Sequence, residues 1–244
     1  MVFAKISMLS AFRTLLMFAF WALLTPIGAF IAFPWTFITG KVEFLYAVGT
    51  WIAITGVRLA GVRPEVIGLD GLDARATYIF MSNHVSNLDP PLLIPLIPRR
   101  TSVLVKRELF RIPILGRAMR VASLVAVDRR NRDAAIASLR AAADVVRAGL
   151  HLTIFPEGTR SRDGCLLPFK KGPFYLAMDT GVPIVPVTIL HTERLWPKGK
   201  MFVRPGTATM IFHPPVRPAD CPDRDSLMNA VRDRIASALP PERR

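Results

Sequence analysis

The chain has 244 residues, 32 Lys+Arg against 18 Asp+Glu, a formal net charge of +14 and 51% hydrophobic residues. That length suits one domain, with or without an appendage, and the apolar content excludes a disordered chain. Two cysteines, Cys165 and Cys221, exclude a disulfide framework and a cysteine-based zinc site, while the charge points to anionic partners: phosphate-bearing substrates, an anionic membrane surface or nucleic acid.

The first element is a charge-free run from Thr14 to Gly40. At about 27 residues it would reach roughly 40 Å as a helix, enough to cross a bilayer core. Pro26 and Pro34 fall inside it and are expected to kink or break that helix. Lys41 and Glu43 interrupt, and a second uncharged run, Phe44 to Val57, follows. At about 14 residues, near 21 Å, it is too short to cross back. The reading is a hydrophobic helical hairpin over residues 1–60 that dips into one leaflet and returns, with a single span as the competitor. The run is too long for the apolar core of a signal peptide.

From Arg63 onward short apolar runs alternate with helical patterns, so residues 61–244 read as one α/β domain with helices covering a sheet. Thr77–Met81, Thr101–Val105, Ser123–Val127, Leu152–Phe155, Pro183–Leu190 and Thr207–Phe212 read as strands. Between Asp133 and Ala148 the residues Ile136, Leu139, Ala143, Val146 and Leu150 recur at helical spacing, and Gly149 stands where a C-terminal cap belongs. A last helix is expected near Asp225–Leu239, stopped by Pro240-Pro241.

Four segments at strand ends or in loops carry the chemistry. Asn83-His84-Val85-Ser86-Asn87-Leu88-Asp89-Pro90 follows the first strand directly, so His84 emerges where α/β sheets place ligands. His84 and Asp89 would not share a face of a continuous helix. A bent segment, favoured by Pro90 and Pro91, lets the carboxylate hold one imidazole tautomer and leaves the other nitrogen to take a proton. Asp89 also suits a plain helix N-cap.

Phe155-Pro156-Glu157-Gly158-Thr159-Arg160-Ser161 closes another strand. Gly158 permits close backbone approach, Thr159 offers a hydroxyl and Arg160 a forked cation, a set suited to phosphate. Glu157 can tether an arginine or a substrate hydroxyl. Val127-Asp128-Arg129 ends a third strand, and Lys106 a fourth. Val182 to Val187 carries two prolines that mark an edge or irregular strand. His151, His191 and His213 lack metal-ligand spacing. No G-x-S-x-G elbow, dinucleotide fingerprint or P-loop is present, nor any helix-turn-helix or RNP pattern, which sets nucleic acid aside.

In this order the four segments resemble those of the glycerolipid acyltransferases of the lysophosphatidate (PlsC-like) type. Asn83-His84 through Asp89 matches the N-H-x4-D block, Val125–Arg129 the second, Phe155–Ser161 (FPEGTRS) the third without change, and Val182–Val187 the fourth. Lys106-Arg107-Glu108-Leu109-Phe110 resembles the segment between the first two, and the likeness spans roughly residues 60–215. Ser123 departs from the glycine that usually opens the second block.

The resemblance implies a central mixed sheet flanked by helices. It implies His84 as general base oriented by Asp89, direct attack on acyl-CoA or an acyl carrier protein thioester, and neither acyl-enzyme, metal nor other cofactor. It implies phosphate recognition by Arg129, Arg160 and Lys106, with Glu157, Gly158 and Thr159 shaping the pocket. The expected reaction gives phosphatidate from 1-acylglycerol-3-phosphate. The expected location is a membrane surface, with the site on the cytoplasmic side of a bacterial inner membrane. The motifs do not separate this acceptor from another lyso-lipid such as a lyso-ornithine lipid or lysophosphatidylglycerol. A non-catalytic lipid-binding protein is the reading from another class.

Overall fold

The computed structural model describes residues 8–128 and 132–244. Two helices come first, α1 (Met8–Thr39) and α2 (Glu43–Leu59), packed as a hairpin. Pro26 and Pro34 do not break α1, which runs as one helix through both. Close packing against α2 supports it. Trp21 Nε1 donates to Ile52 O at 3.1 Å. A Cβ on Gly56 would fall 2.0 Å from that same nitrogen, so only glycine lets the helices approach so closely. Among the described residues, α1 alone is long and apolar enough to cross a membrane.

Seven strands form one sheet in the order β1-β7-β6-β2-β5-β3-β4: β1 (Val62–Ile67), β2 (Ile79–Ser82), β3 (Thr101–Lys106), β4 (Val125–Val127), β5 (His151–Ile154), β6 (Ile184–Leu190) and β7 (Gly206–Phe212). Only the β6–β7 pair is antiparallel, so the sheet is mixed. Six strands match the sequence reading within two residues at each end. The seventh, β1, escapes it because Arg63, Pro64 and Glu65 break the apolar pattern. A sheet edge tolerates that proline, and Glu65 accepts a hydrogen bond from Thr209 Oγ1 on β7 at 2.8 Å.

β6 corrects the opposite expectation. Of the edge or irregular strand its prolines suggest, the edge is excluded, since β6 lies between β7 and β2. The β6–β7 ladder ends at Val187 opposite Phe212. Pro186 stands just past that end and keeps only its carbonyl in use, accepting from His213 N at 2.9 Å. Its N faces the same side, so the missing N–H falls at the end of the β6–β7 ladder and interrupts no bond within it.

The sheet alternates its side chains between two cores. On one face Phe80, Val185, Val187 and Met210 meet Met17 of α1, Ile54 and Val57 of α2, and Leu92 and Leu93 of α3 (Asp89–Leu93). On the other, Ile79, Met81, Leu152, Ile154 and Ile184 meet α5 (Arg132–Arg147), α6 (Gly172–Thr180) and α8 (Arg224–Ser237). Two short helices, α4 (Leu115–Val121) and α7 (Thr192–Leu195), sit beyond strand ends. Because Met17 and Val57 are fully buried in the first core, the hairpin is part of the domain's interior as well as an appendage. Each such side chain contributes roughly 1.5–3 kcal/mol of burial.

The helix caps follow the sequence. Gly149 adopts φ +85 just past α5, and Asp223 accepts from Ser226 N at 2.7 Å at the start of α8. Ile136, counted on the apolar stripe of α5, is 41% exposed, because it lines a cavity described below.

Candidate active site

β2, β3, β4, β5 and β6 are mutually parallel, so their carboxyl ends share one edge of the sheet. His84 follows β2, Phe155 follows β5 and Lys106 ends β3 there. Arg129, beyond β4, lies outside the described residues.

The chain after β2 turns sharply instead of entering a helix. Asn83 fixes the turn from behind: its Nδ2 donates to Ile189 O at 2.9 Å and its Oδ1 accepts from Ile189 N at 2.7 Å, tying the loop to β6. Asp89 then opens α3, with Pro90 and Pro91 in its first turn. Its carboxylate does not cap the helix but points back along the loop. Oδ2 lies 2.7 Å from His84 Nδ1 and accepts from Val85 N and Ser86 N, each at 2.8 Å. Oδ1 accepts from Thr192 Oγ1 at 2.7 Å. A carboxylate with 0% exposure tolerates its charge only when donors surround it, and here four do, three on Oδ2 and one on Oδ1.

His84 is 8% exposed. Its ring stacks on Phe155, with centroids 4.2 Å apart. With Nδ1 committed to Asp89, Nδ1–H is the favoured tautomer and Nε2 carries the free lone pair.

Glu157 holds the same loop from the other side. Oε1 accepts from His84 N at 2.7 Å and Oε2 from Leu167 N at 3.1 Å. Among the described residues no ion pair or hydrogen bond joins it to an arginine side chain, though the charge of Arg232 reaches it. Burial pushes its carboxyl up to about 7, against the opposing pull of the two backbone N–H groups. Gly158 has φ +70, a left-handed conformation that favours glycine. Ser161 N donates to His84 O at 2.8 Å, so the FPEGTRS segment grips both the N–H and the C=O of His84.

The cations stand outside this dry knot. Arg160 Nη1 donates to Asn87 Oδ1, which places its guanidinium beside the His84 loop. Lys198, absent from the sequence reading, donates to Arg160 O at 2.6 Å and reaches Thr159 Oγ1 at 3.5 Å. Burial and the nearby guanidiniums of Arg162 and Arg160 hold its ammonium below the usual lysine range. Thr159 is exposed. Lys106 is exposed too and pairs with Glu108 at 3.4 Å; it shares the sheet edge with the others without touching them.

Two partners of the knot also lie outside the sequence reading. Thr192 is fully buried at the head of α7. Ser86 Oγ donates to Trp196 O at 2.8 Å, and Trp196 meets Phe18 of α1 edge-on at 5.9 Å. The hairpin thus braces the catalytic loop through one aromatic contact. Beside Phe155 opens a cavity of about 440 Å³, lined by Leu104, Ile136, Leu139, Ile154 and Pro156, with Lys170 at its margin. Among the described residues no three of His, Cys, Asp and Glu gather as a metal site. His151 and His213 bind Tyr78 N and Thr188 Oγ1 respectively, and both cysteines are free.

A family model described as Acyltransferase matches residues 63–190. A 1-acyl-sn-glycerol-3-phosphate acyltransferase of Limnanthes douglasii is 36% identical over 218 residues, covering 87% of this chain and 76% of that protein. One from Borreliella burgdorferi is 32% identical over 183 residues, covering 74% and 73%. The crystal structure of the 1-acyl-sn-glycerophosphate acyltransferase PlsC from Thermotoga maritima superposes with a TM-score of 0.80 at 26% identity, over 93% of this chain and 95% of that one. With the family match covering more than half its length and containing the paired His84 and Asp89, the chain belongs to the acyltransferase family.

Proposed function

We propose that this protein transfers an acyl group from acyl-CoA or an acyl carrier protein thioester to the free hydroxyl of 1-acylglycerol-3-phosphate, giving phosphatidate. The single observation that carries the reading is the buried His84–Asp89 pair at 2.7 Å, its carboxylate held by three further donors. The Asp89 carboxylate fixes the imidazole and stabilises its protonated form. His84 Nε2 takes the acceptor's hydroxyl proton as the oxygen attacks the thioester carbonyl. The C–S bond then breaks and the thiolate recovers the proton from the imidazolium. General-base catalysis of this kind supplies about 10²–10⁴-fold; positioning by the phosphate supplies much of the rest.

Arg160, Arg129 and Lys106 hold the phosphate in this reading, with Thr159 and Gly158 shaping its pocket and Lys198 adding charge. Glu157 shapes the same pocket from behind by fixing the backbone of His84. An acyl chain fits the apolar cavity beside Phe155. The reaction as written draws on no cofactor beyond the thioester.

The outer face of α1, where Leu23, Phe30, Phe37 and Ile38 are exposed, supports a membrane-docked protein whose hairpin lies in one leaflet. We place the site on the cytoplasmic side of a bacterial inner membrane, where acyl thioesters are available and where the net positive charge meets anionic lipid.

The test is thin-layer analysis of labelled acyl-CoA incubated with a panel of lyso-acceptors. Labelled phosphatidate is expected, and its loss in His84→Ala. Faster labelling of a lyso-ornithine lipid or lysophosphatidylglycerol would overturn the acceptor. Equal turnover by wild type and His84→Ala would overturn the enzyme.

A further inference from the structure

Three arginines from three different elements surround a second concavity. Arg13 stands on α1, Arg58 in the last turn of α2 and Arg63 on β1, around a pocket of about 900 Å³ completed by Gly61, Pro205 and Thr207. No carboxylate lines it. Among the described residues none of the three guanidiniums has a hydrogen-bond or ion-pair partner. Three forked cations turned on one space, with nothing to neutralise them, repel each other until an anion arrives. The backbone makes room for them: at Gly61 a Cβ would meet Pro205 Cβ at 2.8 Å and Arg13 Nη1 at 3.1 Å. Gly61 also has φ +84, so a side chain there is doubly disfavoured.

The position gives the ligand. Arg13 immediately precedes the uncharged run that begins at Thr14, and Arg58 immediately follows the one that ends at Val57. The pocket therefore marks the level at which both apolar helices meet the α/β domain, which is headgroup depth for a hairpin lying in a leaflet. It opens on the same sheet edge as His84, because β1 and β7 begin where β2 and β6 end. β1 is three strand positions from β2, roughly 14 Å at ordinary strand spacing, so this is not the cluster beside Arg160.

We propose that Arg13, Arg58 and Arg63 form a second anion site that holds the phosphate of an anionic membrane phospholipid and sets the depth and tilt of the docked enzyme. The proposal rests on the membrane-docked reading above. It is tested with the full chain and vesicles of phosphatidylcholine with or without phosphatidylglycerol. The variants are the triple Arg13→Gln/Arg58→Gln/Arg63→Gln and a control triple removing the same charge from exposed positions elsewhere, Arg75→Gln/Arg140→Gln/Arg217→Gln. Singles Arg58→Gln and Arg63→Gln stand in if thermal unfolding shows the pocket triple misfolded.

Near an anionic surface each arginine contributes about 1 kcal/mol, so the pocket triple is expected to lose roughly a hundredfold in binding to the anionic vesicles. The control is expected to lose less than threefold. In neutral detergent micelles both triples should keep wild-type kcat and both KM values. Equal losses for the two triples would show diffuse charge and overturn the site. A raised donor KM in micelles would give the pocket to the thioester's phosphates, and a raised acceptor KM to the substrate, each overturning the proposal. Wild type that ignores both vesicle types would instead break the membrane-docked reading, and the site with it.

Discussion

His84 and Asp89 sit in a dry pocket whose polar atoms are held by partners apart from the free His84 Nε2, whereas Arg160, Lys198 and Lys106 stand beside it on a wetter rim, their charged ends held by one or two surface contacts each. The two regions share one sheet edge and differ in burial. In the pocket, an unpaired donor or acceptor would cost 1–3 kcal/mol, so folding itself sets the catalytic geometry before any substrate arrives. On the rim, water satisfies the cations cheaply, so their arrangement is completed by the phosphate they bind. Changes in the pocket should therefore damage turnover and stability together, and changes on the rim should damage affinity alone.

The sharpest break is His84→Ala. It removes the base, one of the four donors to Asp89 and the ring stacked on Phe155, while Asp89 keeps its two backbone N–H bonds and Thr192, so kcat should fall by about 10³-fold and the melting temperature should fall with it. Retained turnover would dissolve the distinction between pocket and rim.

Next in size is a pH effect inside the pocket. The Glu157 carboxyl has a folded-state value of about 7 against an ordinary 4.5. Between those pH values the folded protein holds a proton that the unfolded chain has released, so this group's contribution to stability falls as pH rises from 4.5 to 7. In Glu157→Gln that loss is gone. Relative to wild type, the variant should gain about 3 kcal/mol across this window, read by urea denaturation at stepped pH. His151 has the opposite sign. Burial lowers it to about 4, so its contribution is lost as pH falls from 6.5 to 4, and the variant's acid limb should stand uncovered. A pH-independent difference between variant and wild type would show Glu157 ionised throughout.

Thr192→Val keeps shape and removes the donor to Asp89 Oδ1. It should cost about 1–3 kcal/mol of stability and lower kcat, whereas Thr192→Ser should restore most of both. On the rim, Arg160→Ala should raise the KM for the phosphorylated acceptor about tenfold at nearly unchanged kcat and melting temperature. A kcat loss as large as that of Thr192→Val would place Arg160 with the pocket.

The same division explains what the sequence can and cannot reveal. His84 and Asp89 lie five residues apart with prolines behind them, so a local reading reaches their pairing, and the strand before them places them at a sheet end. Thr192 meets Asp89 across 103 residues, and Asn83 meets Ile189 across 106. Neither contact is written in local pattern, because each requires knowing that β6 lies beside β2. Lys198 reaches Arg160 from a loop with no motif. Glu157 stands in a recognisable segment, but its partners are backbone N–H groups, which any residue supplies, so its identity alone suggests a side-chain or substrate contact. β1 and β6 mislead for a related reason: a proline's tolerance depends on where in the sheet its missing N–H falls, at an edge for Pro64 and just past a ladder's end for Pro186.

Ser123 is where local pattern and structure inform each other most directly. The resemblance leads one to expect glycine there, and the structure gives Ser123 φ +62, the left-handed region in which a Cβ crowds the backbone. The turn between α4 and β4 is nonetheless held, since Ser102 Oγ donates to Ser123 O at 2.6 Å and Leu124 N to Met119 O at 2.9 Å. A serine in this conformation costs about 1–2 kcal/mol, and glycine returns part of that in unfolded-state entropy. Ser123→Gly should therefore raise stability by about 1 kcal/mol, seen as a small upward shift in melting temperature. Neither kcat nor the acceptor KM should change, because this turn touches neither the pocket nor Arg160. A fall in stability would mean that the Ser123 side chain contributes more to the turn than its backbone conformation costs.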